Sequence, residues 1–247
     1  MKKEGIELIK NGKRIDGRGF EDIRKPFRIK LGVLKNANGS AYVEWGKNKI
    51  VAGVFGPREV LPRHLENPHK AIIKCQYSMS TFSSLEEHGR AGPNRRSIEL
   101  SKVIREALEN IVLLEHYPRT MIEVFITVLQ AEGGTRVASF TAAVGALIDA
   151  GIPMRTIAGG IAVGKVDGTM VVDLGKEEDN YGEADVPMVF TKEGDILLLQ
   201  MDGMLTKDEV EYALTKGYEK VKDIILPELR KAVEEKYAGE IVKKLEL

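Results

Sequence analysis

The chain has 247 residues, 43% hydrophobic and 30% charged, with 37 basic side chains (Lys and Arg) offset by 37 acidic ones. A formal net charge of zero excludes polyanion binding through the field of the whole chain, so any such site must be a local cluster. No apolar run reaches the roughly 18 residues of a membrane span, no apolar leader follows the charged N-terminus, and the single cysteine, Cys75, excludes an internal disulfide; a reducing, cytoplasmic setting is expected.

Residues 1–26 are charged and glycine-bearing and read as an arm. Residues 27–33 alternate apolar with polar or small side chains, the pattern of a half-buried strand. After the Asn38-Gly39 turn, residues 41–45 and 49–55 form two strands around Gly46-Lys47-Asn48. A basic loop over 57–69 holds Arg58, Arg63, His64 and His69, and a strand over 71–80 buries Cys75 as a small hydrophobe. Helical spacing of Ile104, Leu108 and Ile111 predicts a helix over 97–115. A β-branched strand (121–130) and a small-residue helix (136–150), stopped by Gly151 and Pro153, follow. Two hairpins come next, 157–166 with 169–174 across Asp167-Gly168, and 186–191 with 195–202 across Glu193-Gly194. The capping box Thr206-Lys207-Asp208-Glu209 opens a helix over 207–236, bent near Pro227. Segregated strand runs with few helices predict an α+β fold, and the lack of a linker predicts one domain over 1–247, with 207–247 as a C-terminal helical segment.

Three clusters could carry chemistry. In Gly92-Pro93-Asn94-Arg95-Arg96-Ser97, Asn94 is a good N-cap, which places Arg95 and Arg96 in the first helical turn against the helix dipole. Such a pair suits an anionic ligand, since guanidinium forks match phosphate oxygens; two solvated arginines are the alternative. In Glu132-Gly133-Gly134-Thr135-Arg136, glycines, a hydroxyl and a charge precede a helix, as in a phosphate cradle, without the Gly-Lys-Ser/Thr of a P-loop. A plain strand-to-helix turn is the alternative. In the run 177–185, five acids crowd against an apolar strand. Asp179 and Asp185 would be roughly 20 Å apart on a straight strand, but Gly182 offers a turn that brings both to one Mg²⁺, which accepts one or two carboxylates and fills its shell with water and phosphate. A solvated acidic turn is the alternative. The four histidines lack metal-ligand spacing, and Gly159-Gly160 and Gly164 lack the acidic partner of a dinucleotide site.

In order along the chain, Arg14-Ile15-Asp16-Gly17-Arg18, the stretch 31–41, Asn94-Arg95-Arg96, Gln130-Ala131-Glu132-Gly133-Gly134-Thr135-Arg136, the stretch 149–154, and Asp179 with Asp185 resemble the RNase PH family, in its branch of archaeal exosome ring subunits. The resemblance implies an α+β, RNase PH-like fold (ribosomal protein S5 domain 2-like) of two pseudo-repeated β-α-β halves. It implies a hexameric ring with three copies each of this chain and a related inactive subunit, RNA-binding cap subunits, and RNA entering a central pore lined by Arg63 and His64. The implied activity is a 3′→5′ exoribonuclease that degrades RNA by phosphorolysis and can extend it in reverse. Gly134, Thr135 and Arg136 would hold inorganic phosphate as co-substrate, and Arg95 and Arg96 the RNA phosphates. Asp179 and Asp185 would bind Mg²⁺ (or Mn²⁺), or Asp185 would protonate the leaving 3′ oxygen. Glu177, Glu178 and Glu183 are expected to face solvent or to back the aspartates. The rivals are a homohexameric RNase PH trimming tRNA 3′ ends, a non-catalytic RNA-binding ring subunit, and hydrolysis in place of phosphorolysis.

Overall fold

The computed structural model describes residues 7–10, 12–84 and 93–245, with side chains through residue 238. The first six residues of the arm and Gly92 lie outside them. The described arm packs against the second half of the chain, with the short hairpin β1 (Ile9–Lys10) and β2 (Lys13–Arg14) and the buried residues Leu8 and Ile23.

The first sheet follows the alternation in the sequence. Strands β3 (Phe27–Leu31), β4 (Gly39–Trp45) and β5 (Asn48–Glu59) are antiparallel, and their alternate residues Ala41, Val43, Trp45, Ile50, Ala52 and Val54 all point into the core. β5 runs further than the expected 55: a register shift between Phe55 and Arg58 absorbs Pro57, and pairing resumes at Arg58 and Glu59. The basic loop therefore starts later. β6 (Ile72–Met79) runs parallel to β7 (Thr120–Gln130) and is joined to it by α1 (Arg95–Ile111), a β-α-β unit. The sheet order is β3-β4-β5-β7-β6. The α1 helix buries Leu100, Ile104, Ala107, Leu108 and Ile111. It ends before the expected 115 because Val112 turns extended, at ψ 137°, and bridges Met154.

α2 (Thr135–Asp149) is buried on all sides and touches strands of both sheets, which is why its sequence is apolar and small all round. The second sheet has the order β11-β10-β8-β9, from β8 (Ala158–Val166), β9 (Thr169–Val172), β10 (Ala184–Thr191) and β11 (Ile196–Leu199), with β12 (Asp202–Gly203) also on β10. Since β9 and β10 are each antiparallel to β8, they are parallel to one another. A short helix, α3 (Lys176–Tyr181), links them, so each half contains a strand-helix-strand connection. The Thr206 capping box opens α4 (Lys207–Lys220) as expected. A π turn, Val221–Ile225, then leads into α5 (Leu226–Leu245), placing the irregularity just ahead of Pro227, which has no N–H to offer an α-helical ladder.

One buried ion pair joins the halves. The Arg24 guanidinium bonds Asp173 through Nη2 to Oδ1 at 2.6 Å, and the Arg24 N–H and the Trp45 indole N–H donate to Asp173 Oδ2 at 2.6 and 3.0 Å. Arg24 Nη1 also donates to the carbonyls of Glu132 and Gly133. Burial alone would raise the Asp173 carboxyl, but the charge and hydrogen bonds of Arg24, with the charge of Arg18, outweigh it and hold the group below the usual carboxylate range.

Asp173→Asn keeps the volume, removes the charge and leaves Arg24 buried without its partner. The expected cost is about 3 kcal/mol of unfolding free energy near neutral pH. The folded carboxyl holds a proton less readily than the unfolded one, so this stabilisation is complete above an unfolded value of about 3.9 and drains away as pH falls through the folded value. Denaturant titrations of both proteins should show a stability gap that narrows below about pH 4. A gap that stays constant into acid would mean that Asp173 contributes something other than its charge.

Candidate active site

The first component is the start of α1. Asn94 Oδ1 accepts the Ser97 N–H at 2.8 Å and Ser97 Oγ accepts the Asn94 N–H at 2.9 Å, a closed capping box. The cap fixes the first helical residues as Arg95 and Arg96, both exposed, with no acidic residue in that turn to offset them. Two cations against a helix N-terminus are a local cost that an anion would reverse.

The second component is the turn from β7 into α2. Its carbonyls are taken up by buried donors: Gly133 O accepts from Asn48 Nδ2 at 2.7 Å and from Arg24, and Glu132 O accepts from Arg24. Asn48 Oδ1 takes the Glu132 N–H at 2.6 Å. The N-cap of α2 is Gly134, which has no side chain to bond the helix's first N–H groups, so these remain for an anion, beside the Thr135 hydroxyl and the Arg136 charge. Gly133 sits at φ 77°, and a Cβ there would lie 2.9 Å from the Gly175 carbonyl carbon and 3.0 Å from Lys176 N. This close approach sets the turn directly against the start of α3.

The third component is carried by α3 and β10. The first part of the acidic run is the helix α3 rather than a turn, and Glu178 closes its start by accepting the Gly175 N–H on Oε2 at 2.7 Å. Glu178 is buried and grips Arg14 through two contacts, 2.7 Å from Nε and 2.5 Å from Nη2, so of the two expected placements the solvent-facing one does not hold for it. Glu177 is exposed and Glu183 half-buried. The helix ends with the Gly182 N–H on Glu178 O at 2.8 Å, and the chain reverses into β10. Asp179 and Asp185 thereby come close enough for each carboxyl to shift the other. Burial pushes the Asp185 carboxyl up to about 7, with the charges of Asp179 and Asp202 adding to it and Arg136 opposing. Asp179 is raised as well, first by desolvation, although its surface is open; Arg96, Arg136 and Arg24 pull against that shift.

Arg96, Arg136, Asp179 and Asp185 thus lie near enough for their charges to act on one another, and Tyr77, bonded to Thr135, feels both Arg96 and Arg136; Arg95 neighbours Arg96 in the first turn of α1 and Gly134 precedes Thr135 at the start of α2. Glu99 borders this cleft, 3.7 Å from Arg136 Nη2 and bonded by Gln200 Nε2. Arg63 and His64 lie on an exposed 3-10 turn, where Arg63 bonds Glu59. Cys75 is half-buried, its thiol pushed up to about 12 by burial, as suits a packing residue.

Nothing local in the sequence marks Asp202 as a neighbour of Asp185. The hairpin around Glu193-Gly194 closes at Thr191 and Asp195, and continued without a break from there it would set Met201 opposite Asp185. Phe190 pairs with Ile196 but Val189 with Leu198, and this bulge moves the partner of Asp185 one place to Asp202. The buried Tyr77, which bonds Thr135, is likewise unmarked, because an apolar strand position gives no signal of its own.

A divalent cation fits this cleft. Asp185 Oδ1 is buried without a hydrogen-bond partner, and the two carboxylates face one another. No cluster of three or more possible protein ligands occurs among the described residues. The ion would complete its shell with water and substrate oxygens, as Mg²⁺ does.

Two family models cover most of the chain: 3′ exoribonuclease family, domain 1, over residues 24–153, and domain 2 over residues 156–220. The chain belongs to this 3′ exoribonuclease family. The boundary between its two parts falls between α2 and β8, so the cleft takes residues from both. The chain is 55% identical over 239 residues to exosome complex component Rrp41 of Pyrococcus furiosus, covering 96% of this chain and 94% of that protein. To the protein of the same name in Thermoplasma acidophilum it is 51% identical, covering 91% and 90%. Among solved structures, rice (Oryza sativa) Rrp46 matches with a TM-score of 0.78 at 25% identity, over 90% of this chain and 100% of that one. The Archaeoglobus fulgidus exosome with RNA bound to the active site matches with a TM-score of 0.73 at 25% identity, over 85% of this chain and 90% of that one. These matches establish the RNase PH-like fold that the motifs implied.

Gly133→Ala places a methyl group against the α3 backbone at a positive φ, a strain of about 1–3 kcal/mol. The variant should melt lower than the parent and lose exonuclease activity beyond what its melting point explains, because α3 carries Asp179. Normal activity in a variant that is merely less stable would show that the contact between turn and helix does not set the cleft.

Proposed function

We propose that this protein is the catalytic ring subunit of an archaeal-type exosome and degrades RNA from the 3′ end with inorganic phosphate as the nucleophile, releasing nucleoside diphosphates. The observation that supports this reading is a pair of cationic helix starts, Arg95 and Arg96 on α1 and Arg136 on the uncapped α2, beside one carboxylate pair. A hydrolase needs cationic groups for the RNA phosphate alone. A phosphorolytic enzyme must bring two phosphates together and offset their repulsion. Arg95 and Arg96 supply one set of charges, and Arg136 with the α2 N-terminus supplies the other.

In this mechanism Thr135, Arg136 and the backbone at Gly134 hold inorganic phosphate, while Arg95 and Arg96 grip the terminal RNA phosphates. An oxygen of the bound phosphate forms a bond to the terminal phosphorus, the bond to the preceding 3′ oxygen breaks, and that oxygen takes up a proton. Asp185 is the group placed to hold the proton. Asp179 and Asp185 would instead serve as ligands when Mg²⁺ is bound, which would supply charge neutralisation on the phosphate oxygens. One phosphate linkage replaces another, so excess nucleoside diphosphate drives RNA extension. Contacts to backbone phosphates carry no base information, so little sequence preference follows. The exosome-component names of the relatives support assembly into a complex; the proposed form is a ring with a related, inactive subunit and RNA-binding caps, in which Arg63 and His64 would touch RNA. No helix among the described residues is long and apolar enough to cross a membrane, and the cytoplasm is the proposed location.

The test is a 3′-tailed RNA incubated with the assembled protein, with and without phosphate. The expected products are nucleoside diphosphates that form only with phosphate, and Asp185→Ala should slow their release by roughly 10²- to 10⁴-fold. Monophosphates formed without phosphate would favour hydrolysis, and unchanged release by Asp185→Ala would sink the assignment of the cleft. A native mass showing an active ring of this chain alone would favour the homohexameric rival.

A further inference from the structure

Tyr77 belongs to none of the clusters that the sequence marks, yet it touches two of them. It lies on β6 with 2% of its surface exposed, and its phenol donates to Thr135 Oγ1 at 3.2 Å. Its backbone N–H donates to Ser101 Oγ at 2.8 Å, and Ser101 Oγ donates to Ser97 O at 2.6 Å, so the residue is fastened to the first turns of the helix that carries Arg96. Burial raises the pKa of the phenol, against the pull of the Thr135 bond and the neighbouring Arg96 and Arg136 charges. It is therefore a neutral donor at ordinary pH.

A threonine hydroxyl has one proton and two lone pairs. With one lone pair taken by the Tyr77 proton, its own proton must point elsewhere, and Thr135 opens the helix whose uncapped N-terminus faces the cleft. We propose that Tyr77 is a positioning residue for the attacking phosphate: by donating to Thr135 Oγ1 it aims the Thr135 proton at a phosphate oxygen and ties the phosphate-holding turn to the Arg96 helix. The proposal rests on the reading of residues 134–136 as the phosphate site.

The test measures phosphate-dependent degradation by the assembled protein carrying Tyr77→Phe, Thr135→Val or both, with melting temperatures and phosphate-free RNA binding alongside. Tyr77→Phe should raise KM for phosphate roughly three- to tenfold, the weight of one buried hydrogen bond, with kcat changed less and RNA binding unchanged. In the Thr135→Val background the same substitution should add nothing, since its path to the ligand is gone. An unchanged KM for phosphate, even with a lowered melting temperature, would reduce Tyr77 to packing. A KM effect that multiplies fully in the Thr135→Val background would show that Tyr77 does not act through Thr135. Wild-type protein that degrades RNA without phosphate would remove the phosphate site itself, and the inference with it; that failure is read in the parent enzyme, apart from any Tyr77 variant.

Discussion

The cleft depends on the ion pair between Arg24 and Asp173. Both groups are buried, and each would be costly alone. Together they join three separate stretches of chain. Asp173 follows β9 and leads into α3, Arg24 closes the N-terminal arm, and the Arg24 guanidinium also takes the Glu132 and Gly133 carbonyls of the turn from β7 into α2. Arg14 and Glu178 repeat the device one turn later, since Arg14 bonds the Val172 and Asp173 carbonyls as well as the Glu178 carboxylate. Charged pairs of this kind fix geometry more sharply than apolar packing, because a shift in any one partner leaves a buried charge uncompensated. The arm at 7–26 is therefore part of the scaffold of the site, although it contributes no group to the chemistry.

Held in this way, the cleft contains charges that the fold does not satisfy by itself. Arg95 and Arg96 oppose a helix dipole, the N-terminus of α2 has no side-chain cap, and two aspartates are pressed together with a third beside them. Each of these is a local penalty, and violations of local rules concentrate where function requires them. In the proposed reaction, two phosphates would answer the arginines and the helix N-terminus, and a proton or a divalent cation would answer the carboxylates.

Much of this was legible in the sequence wherever the cause is local. The alternation of 41–45 and 49–55, the Asn94 cap that sets Arg95 and Arg96, the glycines at 133–134 and the Thr206 capping box each act within a few residues, and the structure follows them. What was hidden depends on partners far away in the chain. The acidic run becomes a helix because Glu178 closes its first turn and Arg14 neutralises it, from a position 164 residues away. Asp202 reaches Asp185 only because a bulge slips the register by one. Tyr77 reads as one more core residue until Thr135 is placed against its hydroxyl. Residue roles in the chemistry came from the resemblance to a family, whereas the geometry came from burial, capping and charge pairing.

The most direct measurement of the central claim is the fate of oxygen in the attacking group. With ¹⁸O-labelled inorganic phosphate in ordinary water, phosphorolysis in this cleft predicts nucleoside diphosphates whose terminal phosphate carries the label. Unlabelled nucleoside monophosphates, or label found in the products only from ¹⁸O water, would contradict it.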